Sequence, residues 1–94
     1  MKLYLICTEW KPNLADLARQ YCDCFMIQLG LGCYEGKFEH GAQIQVITCG
    51  ASGKVIVERL AATIARVNEQ AEVYVVELDC ALTVIAGSRT DEQA

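Results

Sequence analysis

Residues 52–67 read SGKVIVERLAATIARV, and residues 72–78, a short step later, read EVYVVEL. The two stretches differ in period, and that difference decides the fold class. In the first, Ile56, Val57, Leu60, Ala61, Ile64 and Val67 recur at steps that lay one apolar stripe along a helix. Glu58, Arg59, Arg66 and Glu69 fall mostly off the stripe. Gly50-Ala51-Ser52-Gly53 supplies the turn before it, with Ser52 as the cap. The second stretch is short, rich in Val and apolar on both alternating faces through Val76, which reads as a strand.

The same strand and helix signatures occur in the first half of the chain. Lys2–Thr8 (KLYLICT) is apolar on both faces, with Leu3, Leu5 and Cys7 pointing one way and Tyr4 and Ile6 the other. That pattern predicts a central strand covered on both sides. Pro12-Asn13 starts a helix, with Asn13 at the cap and Asp16 three residues on. Leu14, Leu17, Ala18, Tyr21, Cys22 and Phe25 then form one helical face of about three turns. Gly30-Leu31-Gly32 breaks the helical pattern, leaving Met26–Leu29 as helix end or connector. Two strands follow, over 31–39 and 42–49, with a turn expected at His40-Gly41. That turn would set Cys33 opposite Thr48 or next to Cys49, and His40 about 23 Å from Cys33, too far for a Cys–His dyad.

The order β-α-β-β-α-β predicts an α+β fold of the ferredoxin-like plan, an antiparallel sheet with two helices on one face. Its first and third strands are central and its second and fourth are edges. Ala81–Ala86 (ALTVIA) is a further apolar run, either a fifth strand or the fourth continued past a bulge at Asp79-Cys80. Residues 1–87 are expected to form one domain and 88–94 a flexible polar tail. Because helices cover only one sheet face, Tyr4, Ile6, Tyr74 and Val76 are expected on the uncovered face. A homodimer that buries them is the simplest solution, and residues 81–86 could supply an exchanged or covering strand.

With 94 residues, 53% of them hydrophobic and 21% charged, the chain is too apolar for a disordered tail. No uncharged apolar stretch is long enough to cross a bilayer, and no secretory leader is visible, so a cytoplasmic location without membrane contact is expected. Twelve acidic against eight scattered basic residues give a net charge of −4, which disfavours nucleic acid as a partner.

The six cysteines, Cys7, Cys22, Cys24, Cys33, Cys49 and Cys80, read first as buried free thiols, since five sit in apolar runs. Disulfides and zinc are the alternatives. Cys22-Asp23-Cys24 is too closely spaced for a zinc knuckle and has no second pair, and His40 is the only histidine. No metal or other cofactor is therefore expected. Gly50-Ala51-Ser52-Gly53-Lys54 lacks the hydroxyl that must follow Gly-Lys in a phosphate loop. No catalytic triad or dinucleotide fingerprint is present, so no catalytic residue is assigned.

The polar and aromatic interest concentrates in 32–40. Tyr34, Gly36 and Phe38 are expected on one strand face and Glu35, Lys37 and Glu39 on the other. This reads as a solvated, charged edge strand or as a recognition surface. Trp10, in the loop after the first strand, is either a lid on the core or an aromatic anchor for a partner. The candidate partner-binding set is Tyr34, Glu35, Phe38, Glu39, His40 and Trp10.

Gly32-Cys33-Tyr34-Glu35-Gly36-Lys37-Phe38-Glu39, a helix, then Gln70-Ala71-Glu72-Val73-Tyr74-Val75 resembles small phage and prophage accessory proteins over the last two thirds of the chain. The resemblance implies an inhibitor of host defence of the anti-CRISPR type, which covers a functional surface on a protein partner such as a host defence complex. The leading expectation is thus a small acidic, non-enzymatic binding protein. The alternatives are a dimeric ferredoxin-like small-molecule binder or enzyme, with a closed pocket lined by Tyr4, Tyr74 and Trp10, and a structural subunit of a larger assembly.

Overall fold

Strand β1 (Lys2–Glu9) leads to helix α1 (Leu14–Arg19), then to β2 (Met26–Tyr34), β3 (Lys37–Thr48), α2 (Ser52–Val67) and β4 (Tyr74–Asp79). The computed structural model describes residues 1–48 and 52–87. The four strands form one antiparallel sheet in the order β2-β3-β1-β4. This is the ferredoxin-like α+β fold expected from the element order, with β3 and β1 central and β2 and β4 at the edges.

The core lies between the sheet and the helices. From α2 come Val57, Leu60, Ala61 and Ile64, from α1 Leu14, Leu17 and Ala18, and from the sheet Tyr4, Ile6, Ala42, Ile44 and Val46, all buried. Each fully buried Val, Leu or Ile contributes about 1.5–3 kcal/mol. Ile56 and Val67, counted in the α2 stripe by period alone, lie on its flanks and are exposed. The helix ends in a Schellman turn: Gln70 N–H donates to the Ala65 carbonyl at 2.9 Å, and Glu69 N–H to that of Arg66 at 3.4 Å. Glu69 takes the left-handed position, φ 54°, that glycine usually fills.

Helix α1 is half the length its apolar spacing predicts, stopping at Arg19. Cys22 nevertheless stays buried, and Tyr21 and Phe25 pack on the core from the segment that follows. Burial pushes the Cys22 thiol pKa up, and the neighbouring Asp23 adds to the shift. Asn13 makes no side-chain capping bond. Its amide donates instead to Asn68 Oδ1 at 2.7 Å, tying the start of α1 to the end of α2.

The hairpin turns five residues earlier than the sequence suggests. Tyr34 pairs with Lys37, so Glu35-Gly36 is the turn and His40-Gly41 lies inside β3 opposite Leu31 and Gly30. Both turn residues have positive φ, 51° and 79°, as a two-residue hairpin with the right twist requires. Met26–Leu29 therefore belongs to β2. The shift also moves Cys33 opposite Phe38, ten positions along β3 from Thr48. The expected Cys33–Thr48 proximity is replaced by about 33 Å of strand, and Cys49 lies outside the described residues. His40 becomes a diagonal neighbour of Cys33, roughly 7–8 Å away, so distance no longer separates these two. Phe38 moves to the face opposite Tyr34.

Strand β1 settles which sheet face is open. Tyr4, Ile6 and Thr8 point to the helices, with exposures of 2%, 0% and 3%. Tyr4 and Ile6 are thus core residues and not the open-face residues expected, because α2 packs on their side. Leu3, Leu5 and Cys7 face away and are paired across β4 with Leu78, Val76 and Tyr74. Tyr74 and Val76 do lie on the open face, with Leu78 and Ile47 as exposed neighbours. The other half of that face, over β2 and β3, is amide-rich, and Gln45 Nε2 donates to Gln28 Oε1 at 3.0 Å.

Among the described cysteines, all five thiols are free. Cys24 and Cys33 are exposed, so only part of the set behaves as core. Residues 81–87 form neither a fifth strand nor a continued ladder, and the expected tail at 88–94 lies outside the described residues.

Candidate functional site

Strand β1 stops before the β2–β3 hairpin does, and this creates a cleft. Its last pair with β3 is Glu9 with Gly41, after which Trp10 N–H donates to the His40 carbonyl at 2.9 Å and the chain leaves for α1. The β2–β3 hairpin runs four more pairs to its turn, an overhang of about 13 Å. On the other side of β1, the 69–72 connection brings the chain from α2 to β4. Between overhang and connection lies an open cleft of about 670 Å³.

Its lining is acidic. Glu9 comes from β1, Glu35 and Glu39 from the hairpin, and Glu69 and Glu72 from the connection, while Lys37 is the one basic side chain of the lining. Tyr34 and Tyr74 add aromatic walls. The floor is held by Gln70, whose Oε1 accepts from Thr8 Oγ1 at 2.8 Å and from Glu9 N–H at 3.3 Å. Thr8 is buried, so this bond satisfies a hydroxyl that would otherwise be costly to bury. The Tyr74 hydroxyl donates to Glu72 Oε2 at 2.7 Å. That bond first, then the Glu72 charge, holds the Tyr74 pKa above its ordinary value, with smaller contributions from burial, Tyr34 and Glu35.

Among the described residues the only non-glycine positions with positive φ are Glu35 and Glu69, and both line this cleft. Left-handed backbone costs a residue with a Cβ about 1 kcal/mol or more. Two glutamates thus sit on one cleft where glycine would be more stable.

The expected partner-binding residues divide. Tyr34, Glu35 and Glu39 come together in the cleft. Phe38 is on the other side of the hairpin, 74% exposed, sharing that face with Leu31 and His40. Trp10, 40% exposed, is not a sealed lid on the core and stands at the root of the hairpin. The closed pocket envisaged between Tyr4, Tyr74 and Trp10 does not form around them: Tyr4 is in the core, and of the three only Tyr74 lines the cleft. Glu9, Glu69, Gln70 and Glu72 escaped the sequence reading. One signal was available: in the ferredoxin-like order the end of the first strand adjoins the start of the fourth, which brings Thr8-Glu9 beside 70–74.

No protein-family model and no curated protein matches the sequence. Solved structures do resemble it. A DUF3240-family protein from Shewanella baltica OS155 superposes with a TM-score of 0.64 at 9% identity, over 92% of this chain and 97% of that one. CutA from Synechococcus elongatus PCC7942 gives 0.58 at 17% identity, over 82% of this chain and 73% of its own. The divalent cation tolerance protein Cut A1 from Thermus thermophilus gives 0.52 at 13%, over 89% and 88%. At such identities the likeness is one of fold. Among the described residues no three His, Cys, Asp or Glu side chains are grouped to hold a metal ion, and no helix is long and apolar enough to cross a membrane.

Proposed function

We propose that this chain is a small acidic binding protein without chemistry of its own, which regulates a protein partner by seating a basic segment of it in the hairpin cleft. The observation that carries this reading is the cleft wall: five glutamates against one lysine, two of those glutamates held in backbone conformations that cost stability. Strain of that kind clusters at functional positions. Carboxylates placed around a cleft steer a cationic partner and fix its register. Tyr34 and Tyr74 offer faces for stacking by arginine or lysine. An inhibitor of a host defence complex, as the sequence resemblance implies, would use the same surface. A small cationic molecule is a second reading, favoured by a volume in the range of ligand sites.

A second copy of the chain is the other partner proposed. Leu3, Leu5, Val76 and Leu78 form an apolar strip on the open face that a homodimer would cover.

Binding of an oligo-arginine peptide, followed by fluorescence anisotropy at low and high salt, tests the cleft. The triple substitution Glu35→Gln, Glu39→Gln and Glu72→Gln is expected to weaken binding about tenfold, three charges at roughly 0.5 kcal/mol each. The control Asp16→Asn, Asp23→Asn and Glu58→Gln removes the same charge from exposed sites elsewhere. Equal losses in both would reduce the effect to net charge and sink the cleft.

A further inference from the structure

The last sheet bond of β4 runs from Cys80 N–H to the Met1 carbonyl at 3.1 Å. Beyond it Ala81–Gly87 (ALTVIAG) continues without turn, bend or ladder, and every residue is exposed. Leu82, Val84 and Ile85 are 51%, 80% and 88% exposed. Thr83-Val84-Ile85 is β-branched throughout and strongly strand-forming. The segment is an apolar arm that pairs with none of the described residues of its own copy. It helps to explain a radius of gyration of 15.1 Å, where a compact chain of this length would have about 12 Å.

The sheet has two outer edges on which such an arm could add as a strand. The β4 edge carries Glu77 and Asp79. The β2 edge, MIQLGLGCY, carries no charge and no proline in nine residues. Edges that stay unpaired are normally blunted with lysine, proline or inward charges. Here the apolar side chains Met26, Leu29 and Leu31 are 65%, 60% and 68% exposed along the unprotected edge. The uncharged arm therefore matches the uncharged edge and not the acidic one.

A chain cannot serve its own β2. The arm leaves from β4, three strand spacings or about 14 Å away. To lie outside β2 it must cross a fourth spacing, about 19 Å in all, which uses about six residues at ~3.3 Å each and so the whole of 81–86. We propose that the arm, residues 81–86, of one copy adds as a strand to the β2 edge of a second copy. Main-chain bonds supply the affinity, and alternate side chains the register. Leu82 and Val84 share one face of the arm, as Leu29 and Leu31 share one face of β2, so one register stacks the two pairs. Donor and acceptor are different surfaces, and the contact closes by reciprocal exchange or in a ring. This contact is independent of the cleft and distinct from burial of the open face.

The test is the mass of the full chain in solution, by light scattering after gel filtration at micromolar concentration. An oligomer is expected. Thr83→Pro/Val84→Pro removes two successive N–H groups that point to opposite sides, so it breaks the added strand in either register. Leu29→Lys/Leu31→Lys charges the acceptor edge. Each variant is expected to lower that mass while keeping the circular dichroism spectrum of the folded chain. Mixed together they are expected to recover a 1:1 complex, because one still has its edge and the other its arm. A monomeric wild-type chain would overturn the proposal. So would an oligomer whose mass neither variant changes, which would assign assembly to the open face. If the arm variant misfolds, the edge variant alone decides.

Discussion

Strand β1 presents two apolar faces that meet opposite surroundings. Tyr4, Ile6 and Thr8 lie under α2 and are closed off from water, whereas Leu3, Leu5 and Cys7, alternating with them, are only half-buried on the bare side of the sheet. Composition cannot separate the two sets, because Tyr4 and Ile6 on one side are as apolar as Leu3, Leu5 and Cys7 on the other. The difference is made by which side the stripe of α2 packs against. An apolar alternation therefore reports that a face can be buried, not that its own chain buries it.

The contrast can be broken most directly by truncation. Ile6→Ala is expected to cost about 2–5 kcal/mol, the range for a fully buried aliphatic side chain that leaves a cavity. Leu5→Ala, measured at a concentration where the chain is monomeric, is expected to cost under about 1.5 kcal/mol, since its side chain is already partly in water. Urea unfolding of both variants gives the comparison, and equal losses would mean that the open face is covered within one copy.

The helix side is also the tightly packed side. A Cβ on Gly53 would run into the Thr48 side chain where α2 approaches the end of β3. Gly53→Ala is expected to cost about 1–3 kcal/mol by overpacking. Adding Thr48→Ala should recover a large part of that loss, and no recovery would move the cause to the backbone.

A gain is expected at the cleft. Glu69→Gly relieves a left-handed residue and should raise stability by about 1 kcal/mol, while lowering affinity for the oligo-arginine peptide. Opposite signs in thermal unfolding and anisotropy would mark a glutamate kept for binding. A gain in stability with unchanged affinity would make it a plain helix cap.

The smallest effect concerns the margin of the helix side, where Lys2 follows the alternation of Tyr4 and Ile6. Lys2 and Asp79 form an exposed ion pair across β1 and β4. Its hydrogen bond, then its charge, lowers the Asp79 pKa below the ordinary 3.8 and raises that of Lys2 above 10.5. The lowered carboxyl stabilises the fold above its unfolded pKa and loses that as pH falls through the folded value. The raised amine stabilises below its unfolded pKa and loses that as pH rises through its own folded value. Lys2→Met should therefore differ from wild type near neutral pH and converge with it below about pH 4. A difference that persists in acid would assign the effect to packing of the lysine stem.

Much of this was legible in the chain itself. The 3.6-residue period of 52–67 and the Val-rich run after it placed α2 and β4, and the element order placed the sheet. Two readings failed for local reasons. Tyr21, Cys22 and Phe25 fall on a helical face and do reach the core, but they reach it from irregular chain, because burial constrains position and not backbone form. Glu35-Gly36 is a weaker turn signal than Asn-Gly or Asp-Gly, and His40-Gly41 offered a rival glycine. A turn displaced by five residues re-pairs every position of the hairpin, which moved Cys33 away from Thr48 and split Tyr34 from Phe38. Of the candidate site, Tyr34, Glu35 and Glu39 were found from the hairpin sequence. Glu9, Glu69 and Glu72 were not, since they come from two other stretches that meet the hairpin only where β1 ends short of it.

The sequence by itself determined the succession of strands and helices, the acidic balance and the surplus of apolar faces, because periodicity and charge are properties of neighbours along the chain. Tertiary structure alone decided which apolar face is bare, where the hairpin turns and how five distant glutamates share one cleft. Those depend on register and on which surfaces pack, and both are set by contacts between residues far apart in the chain.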